Sequence, residues 1–131
     1  MQALNPRLIA APFGRYSHGV AVPVSGRLVL TSGQLGVRPD GSLPEGALDQ
    51  ARQCFANCAA ILAEAGLGPG HVLRVNGFVT ERAHFPDYMA ARDEFLAGVA
   101  VLPASTLVIV SGFTRPEFLV EVELTAMERA R

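Results

Sequence analysis

The sequence predicts an α+β fold in which two helices pack on one face of a mixed β-sheet. Three observations carry that expectation. Two stretches, 47–65 and about 85–98, repeat apolar residues at helical spacing; stretches at 72–80, 106–111 and 118–127 are rich in β-branched residues; and the run from Val20 to Leu30 alternates. In chain order these read β-β-α-β-α-β-β, an arrangement that two layers can bury. The chain has 131 residues, half of them hydrophobic, which fits a single domain over residues 1–131.

The first two strands read as a hairpin. Val20, Val22 and Val24 alternate before a Ser25-Gly26 turn, and Leu28 and Leu30 alternate after it. Residues 36–46 carry the turn signal Pro39-Asp40-Gly41 and form a loop. The first helix places Leu48, Ala51, Phe55, Cys58 and Leu62 on one stripe and leaves Asp49, Gln50, Arg52, Gln53 and Asn57 elsewhere, with Gly66 in the position of a left-handed cap. The second helix has Pro86 in its first turn, and its stripe runs through Phe85, Tyr88 or Met89, Arg92, and Phe95 or Leu96. In the last strand Leu119, Glu121 and Glu123 point one way while Val120, Val122 and Leu124 point the other. One sheet face therefore carries two carboxylates, as a solvated face or a cleft between subunits would.

Composition excludes several chemistries. The eleven basic residues are all arginine, so Schiff-base, pyridoxal-phosphate and phosphate-loop lysines are ruled out. These arginines are scattered among twelve acids with no basic stripe, which argues against a nucleic-acid partner. A charged fraction of only 18% and a mean hydropathy of +0.29 suggest that apolar surface is covered by further copies of the chain. No apolar run approaches the ~20 residues of a membrane span and the N-terminus lacks a signal-peptide pattern, so no membrane association and a cytoplasmic location are expected. Cys54 and Cys58 have no further metal ligands near them and read as buried thiols, so neither metal nor cofactor is expected. His18, His71 and His84 fall in separate loops or element ends and read as surface or supporting residues. Gly66 to Gly70 follows a helix instead of preceding one, which makes it a stop and turn, not a phosphate cradle.

A family resemblance emerges from six short stretches in register: Gly14-Arg15-Tyr16-Ser17-His18-Gly19, Ser32-Gly33-Gln34, Gln50 to Asn57, Phe78-Val79-Thr80, Pro103-Ala104-Ser105-Thr106 and Val120-Glu121-Val122-Glu123. Together, over residues 14–127, they resemble the YjgF/RidA family. The resemblance implies a chorismate-mutase-like fold, assembled as a homotrimer with small-molecule clefts between subunits. It also implies hydrolysis of reactive imines or enamines, formed from amino acids, to 2-keto acids and ammonia. In that pattern an Arg grips the substrate carboxylate, a backbone N–H by the Ser-Gly-Gln turn orients the substrate, a Glu on the final strand handles the water, and a Tyr lines the cleft.

Tyr16, Gly33 and Glu121 match this pattern, but Ser105 stands where the family's Arg belongs, with Pro103, Ala104 and Thr106 holding the register. Arg15 replaces the usual Pro, and Ala83 falls where many members carry Asn. A hydroxyl is one neutral donor against a charged fork, so the pocket is expected to offer an anion only an alcohol and to act weakly, if at all, on simple 2-imino acids. Two readings follow. In one, a divergent hydrolase uses Ser105 and Thr106 as donors, with Arg15 or Arg115 reaching in and Glu121 handling water. In the other, the trimer binds a small metabolite without turnover. A ribonuclease reading, also attached to this family, is disfavoured by the absent basic patch and the lack of a His pair.

Overall fold

The computed structural model describes residues 1–129. Its elements are β1 (Gln2–Leu4), β2 (Gly19–Ala21), β3 (Leu28–Leu30), β4 (Gln34–Leu35), α1 (Ala47–Glu64), β5 (Val72–Val79), α2 (Phe85–Phe95), β6 (Ala104–Ile109) and β7 (Val120–Met127). Two helices pack on a mixed sheet, as the sequence predicts. The sheet runs β3-β7-β5-β6, with β4 also on β7; β5 is antiparallel to β7 and parallel to β6.

Ala51, Cys54, Phe55, Cys58 and Leu62 are buried on α1 and cover the alternate residues Val120, Val122, Leu124 and Ala126 of β7. Past the helix, Gly66 takes φ +74°. The Leu67 N–H then donates to the Leu62 carbonyl and the Gly66 N–H to that of Ala63, both at 2.9 Å, which closes the last turn. The second helix packs beside the first, Phe55 stacking on Phe95 with ring centroids 5.0 Å apart. It ends at Phe95, three residues before the sequence suggests, followed by a turn in which Gly98 has φ +78°.

The predicted hairpin between Val20 and Leu30 does not form. Instead β2 pairs with β1, and β3 pairs with β7 at the far side of the sheet. Pro23 has no N–H to contribute to a ladder, and the Gly26 turn lies against the Glu128 backbone, where a Cβ would approach the carbonyl oxygen to 2.7 Å. Leu28 and Leu30 consequently lie on the sheet face away from the helices, 57% and 66% exposed, on the same face as the carboxylates of β7 and, at the other edge of the sheet, Val108.

Gln50, placed off the apolar stripe by its chemistry, is in fact only 2% exposed. Its amide donates to the carbonyls of Pro44 (3.1 Å) and Glu117 (3.0 Å) and accepts from the Leu119 N–H (2.9 Å), tying two loops to α1. Gln50→Leu removes three partners at once and leaves the Leu119 N–H bare, which is expected to cost about 2 kcal/mol. Urea unfolding checks this through a lowered midpoint at unchanged slope.

Candidate functional site

Tyr16 is positioned by its neighbour Ser17. The buried Ser17 hydroxyl donates to the Leu102 carbonyl at 2.6 Å, its N–H donates to that of Pro103 at 3.0 Å, and the segment bridges Ala104. Phe13 and His18 flank the Tyr16 ring edge-on, with centroids 5.6 and 5.9 Å away. The whole Gly14–Gly19 stretch is thereby pinned to the start of β6, so that Tyr16 and Ser105 share a cleft of about 240 Å³. Phe13, Phe85, Met89 and Leu107 form its apolar walls, while Thr106 and Arg92 complete the polar lining. The Thr106 hydroxyl accepts from Arg74 at 3.0 Å.

Arg92 is the residue that sequence reasoning missed. It is only 3% exposed, and its Nη1 lies 3.4 Å from the Ser105 hydroxyl oxygen. Nη2 reaches Asp93 Oδ1 at 3.4 Å, and the buried Nε has no partner among the described residues. The expectation that this pocket presents only a neutral alcohol is therefore corrected. A guanidinium delivered from α2 stands beside Ser105 on β6, the position where the sequence resemblance implies an arginine. The signal was present in the sequence as a charged residue in phase with an apolar helical stripe, a position where a solvated arginine does not belong.

Behind Arg92, the Tyr88 ring is fully buried against Gly77, leaving no room for a side chain there. Burial pushes the Tyr88 phenol up to about 12, while Arg92 and Ser105 beside it act in the opposite direction. No hydrogen bond of good geometry reaches its oxygen among the described residues.

Glu121 and Gly33 form a second group. Antiparallel pairing of Gln34 and Leu35 with Val122 and Glu121 sets Gly33 against the carboxylate, where a Cβ would come 2.7 Å from Glu121 Cδ. Glu123 is held by Asn76 Nδ2 at 3.2 Å, whereas the Glu121 carboxylate has no hydrogen-bond partner among the described residues. Burial raises the Glu121 pKa, and the neighbouring Glu123 charge adds to the effect.

One chain does not bring the two groups together. Ser105 registers with Val75, which faces Leu124, on the side covered by the helices. Glu121 registers with Phe78, which faces Val108, on the open side. Nor do the two arginines suggested by the sequence reach Ser105. Arg15 donates to the Leu96 carbonyl at the end of α2 (3.5 Å), and the Arg115 guanidinium lies 5.6 Å over the Phe118 ring.

The remaining candidates have structural surroundings. His18 Nε2 is 2.6 Å from the Ala10 carbonyl oxygen, and His71 Nδ1 accepts from the Gly68 N–H at 3.1 Å. Cys54 and Cys58 are free and buried; burial raises both thiols, Cys58 to about 11. No group of three or more His, Cys, Asp or Glu side chains suited to a metal occurs among the described residues, and no helix there is long and apolar enough to cross a membrane.

Comparison with known proteins agrees with this architecture. The family model described as Endoribonuclease L-PSP matches residues 8–128. A RutC family protein of Aquifex aeolicus is 36% identical over 129 residues, covering 98% of this chain and 100% of its own. A 2-iminobutanoate/2-iminopropanoate deaminase of Escherichia coli is 32% identical over 121 residues, 91% of each chain. The crystal structure of YyfB, a Rid-family protein of unknown function from Yersinia pestis, superimposes with a TM-score of 0.85 at 32% identity, covering 97% of this chain and 98% of that one. With the family model matched over residues 8–128 and relatives matched along nearly its full length, the chain belongs to the YjgF/RidA family.

Proposed function

We propose that the protein hydrolyses the imine or enamine of an amino-acid-derived metabolite with an apolar side chain, working as a homotrimer with its sites between subunits. The observation that carries this reading is the contact of Gly33 with Glu121, a carboxylate without a hydrogen bond among the described residues and made more basic by burial. In this reading Glu121 takes a proton from water as its oxygen attacks the imine carbon. Glu121 returns that proton to the nitrogen, and the resulting carbinolamine breaks its C–N bond as the hydroxyl proton is lost, releasing ammonia and leaving a 2-keto acid. Kinship with an iminobutanoate deaminase supports the reaction class. The opposite-face placement of Ser105 and Glu121 supports the assembly, because a neighbouring copy is needed to unite recognition with chemistry. The open sheet face, where Leu28, Leu30 and Val108 are exposed, offers such a copy a surface.

The smallest 2-imino acids are poor substrates in this reading, since a small side chain leaves the apolar walls of the cleft, Phe13, Phe85, Met89 and Leu107, unfilled. Imines generated in place by an amino-acid oxidase test it through ammonia release over the spontaneous rate. The phenylalanine- and leucine-derived imines are expected to be accelerated at least tenfold more than the alanine-derived one. No acceleration with any of the three removes the hydrolase reading. A second reading, metabolite binding without turnover, is favoured by one observation: within a chain, the cleft beside Tyr16, Arg92 and Ser105 contains groups for recognition, while Glu121 lies on the other sheet face.

A further inference from the structure

We infer that Arg92 is the anion receptor of this protein, standing in from helix α2 for the strand arginine that Ser105 replaces. The inference rests on the imine-hydrolase reading only for the chemical class of the guest, a 2-keto or 2-imino acid whose carboxylate meets the guanidinium while its apolar side chain lies along Phe13, Phe85 and Met89. Three features of the structure lead to it. Arg92 lines the cleft while being 97% buried, its exposure being 3%. Its two contacts, to Ser105 and Asp93, are both 3.4 Å long, and Nε has none among the described residues, so most of a five-donor fork is unused. The Tyr88 hydroxyl, also buried without a hydrogen bond of good geometry among the described residues, lies beside the same guanidinium.

A guanidinium withdrawn from water without a carboxylate of matching burial is unfavourable in the empty protein, because the nearest acid, Asp93, keeps 38% of its side chain exposed. A planar anion arriving through the cleft supplies the missing acceptors, and the low local dielectric strengthens that contact. A neutral ligand of the same shape brings no charge to offset the guanidinium. The receptor therefore separates acids from their amides. Having Arg on α2 instead of β6 also places the cation among Met89 and Phe85 of its own helix, so the guest it holds is one with an apolar body.

Titration calorimetry with phenylpyruvate and its neutral amide tests the inference. The unaltered protein is expected to bind the acid at least tenfold more tightly than the amide. Arg92→Gln lowers affinity for the acid about a hundredfold and leaves that for the amide within about twofold; Arg92→Lys, a point charge without the fork, falls between. Should Arg92→Gln fail to fold, Ser105→Asp places a carboxylate beside Arg92 and abolishes the preference from within. Equal binding of acid and amide by the unaltered protein overturns the inference, as does a preference that survives in folded Arg92→Gln or in Ser105→Asp. Ammonia release separates it from the hydrolase reading. Turnover that is indifferent to Arg92→Gln defeats the receptor alone, and a charge preference without turnover defeats the hydrolase alone.

Discussion

Glu121→Gln is expected to lower ammonia release from a phenylalanine-derived imine by at least about a hundredfold, the lower end of what a positioned general base contributes. The substitution preserves shape and removes only the charge and basicity that the site uses. Stability should move the other way at neutral pH. Burial and the Glu123 charge raise the native pKa of Glu121, so the folded chain binds that proton more tightly than the unfolded chain does. The group's contribution to stability is thus full below the unfolded carboxyl value of about 4.3 and is lost as pH rises through the higher native value. A neutral glutamine escapes that loss. Thermal melts are expected to show Glu121→Gln matching the unaltered protein at pH 4 and exceeding it at pH 7. Ammonia release by the unaltered protein should rise over the same interval, as the basic form accumulates. A variant retaining turnover within about threefold would remove Glu121 from the chemistry.

Gly77→Ala is expected to have the largest effect on folding, about 3 kcal/mol. The glycine sits on β5 between Val122 and Leu107, and the Tyr88 ring lies directly over it. A methyl group there overlaps the ring carbons and the hydroxyl, and β5 is held by a paired strand on each side. The ring must shift, and because Tyr88 backs the Arg92 guanidinium, the cleft shifts with it. Urea unfolding reads the first effect and the loss of acid-over-amide preference reads the second. Pairing Gly77→Ala with Tyr88→Leu should restore part of the stability, since the smaller side chain vacates the overlapped space. Full additivity of the two substitutions would show that the close approach is not the cause.

Both helices, the long strands at 72–79 and 120–127, and the alternation that puts Glu121 on the opposite side from Val120 were legible from periodicity, because each has one face buried and one open. The hairpin at Val20–Leu30 was misread because short alternating strands satisfy the same pattern whether they pair with each other or with distant partners. Only the lost N–H of Pro23 and the packing of Gly26 on Glu128 decided for the latter. Gln50 escaped notice because its burial depends on three backbone groups from two separate loops, none of them near it on the helix.

The amino-acid order alone carried the helices, the main strands and the kinship, and it put Ser105 where the family resemblance implies an arginine. It did so because these are local patterns or fixed registers. What surrounds that serine was settled in three dimensions. Arg92 lies thirteen residues earlier on another element, and its guanidinium comes within 3.4 Å of Ser105 because α2 packs beside α1 and over β5, the strand next to β6. The charge of a pocket is a sum over everything that folds against it, and no stretch of sequence carries that sum.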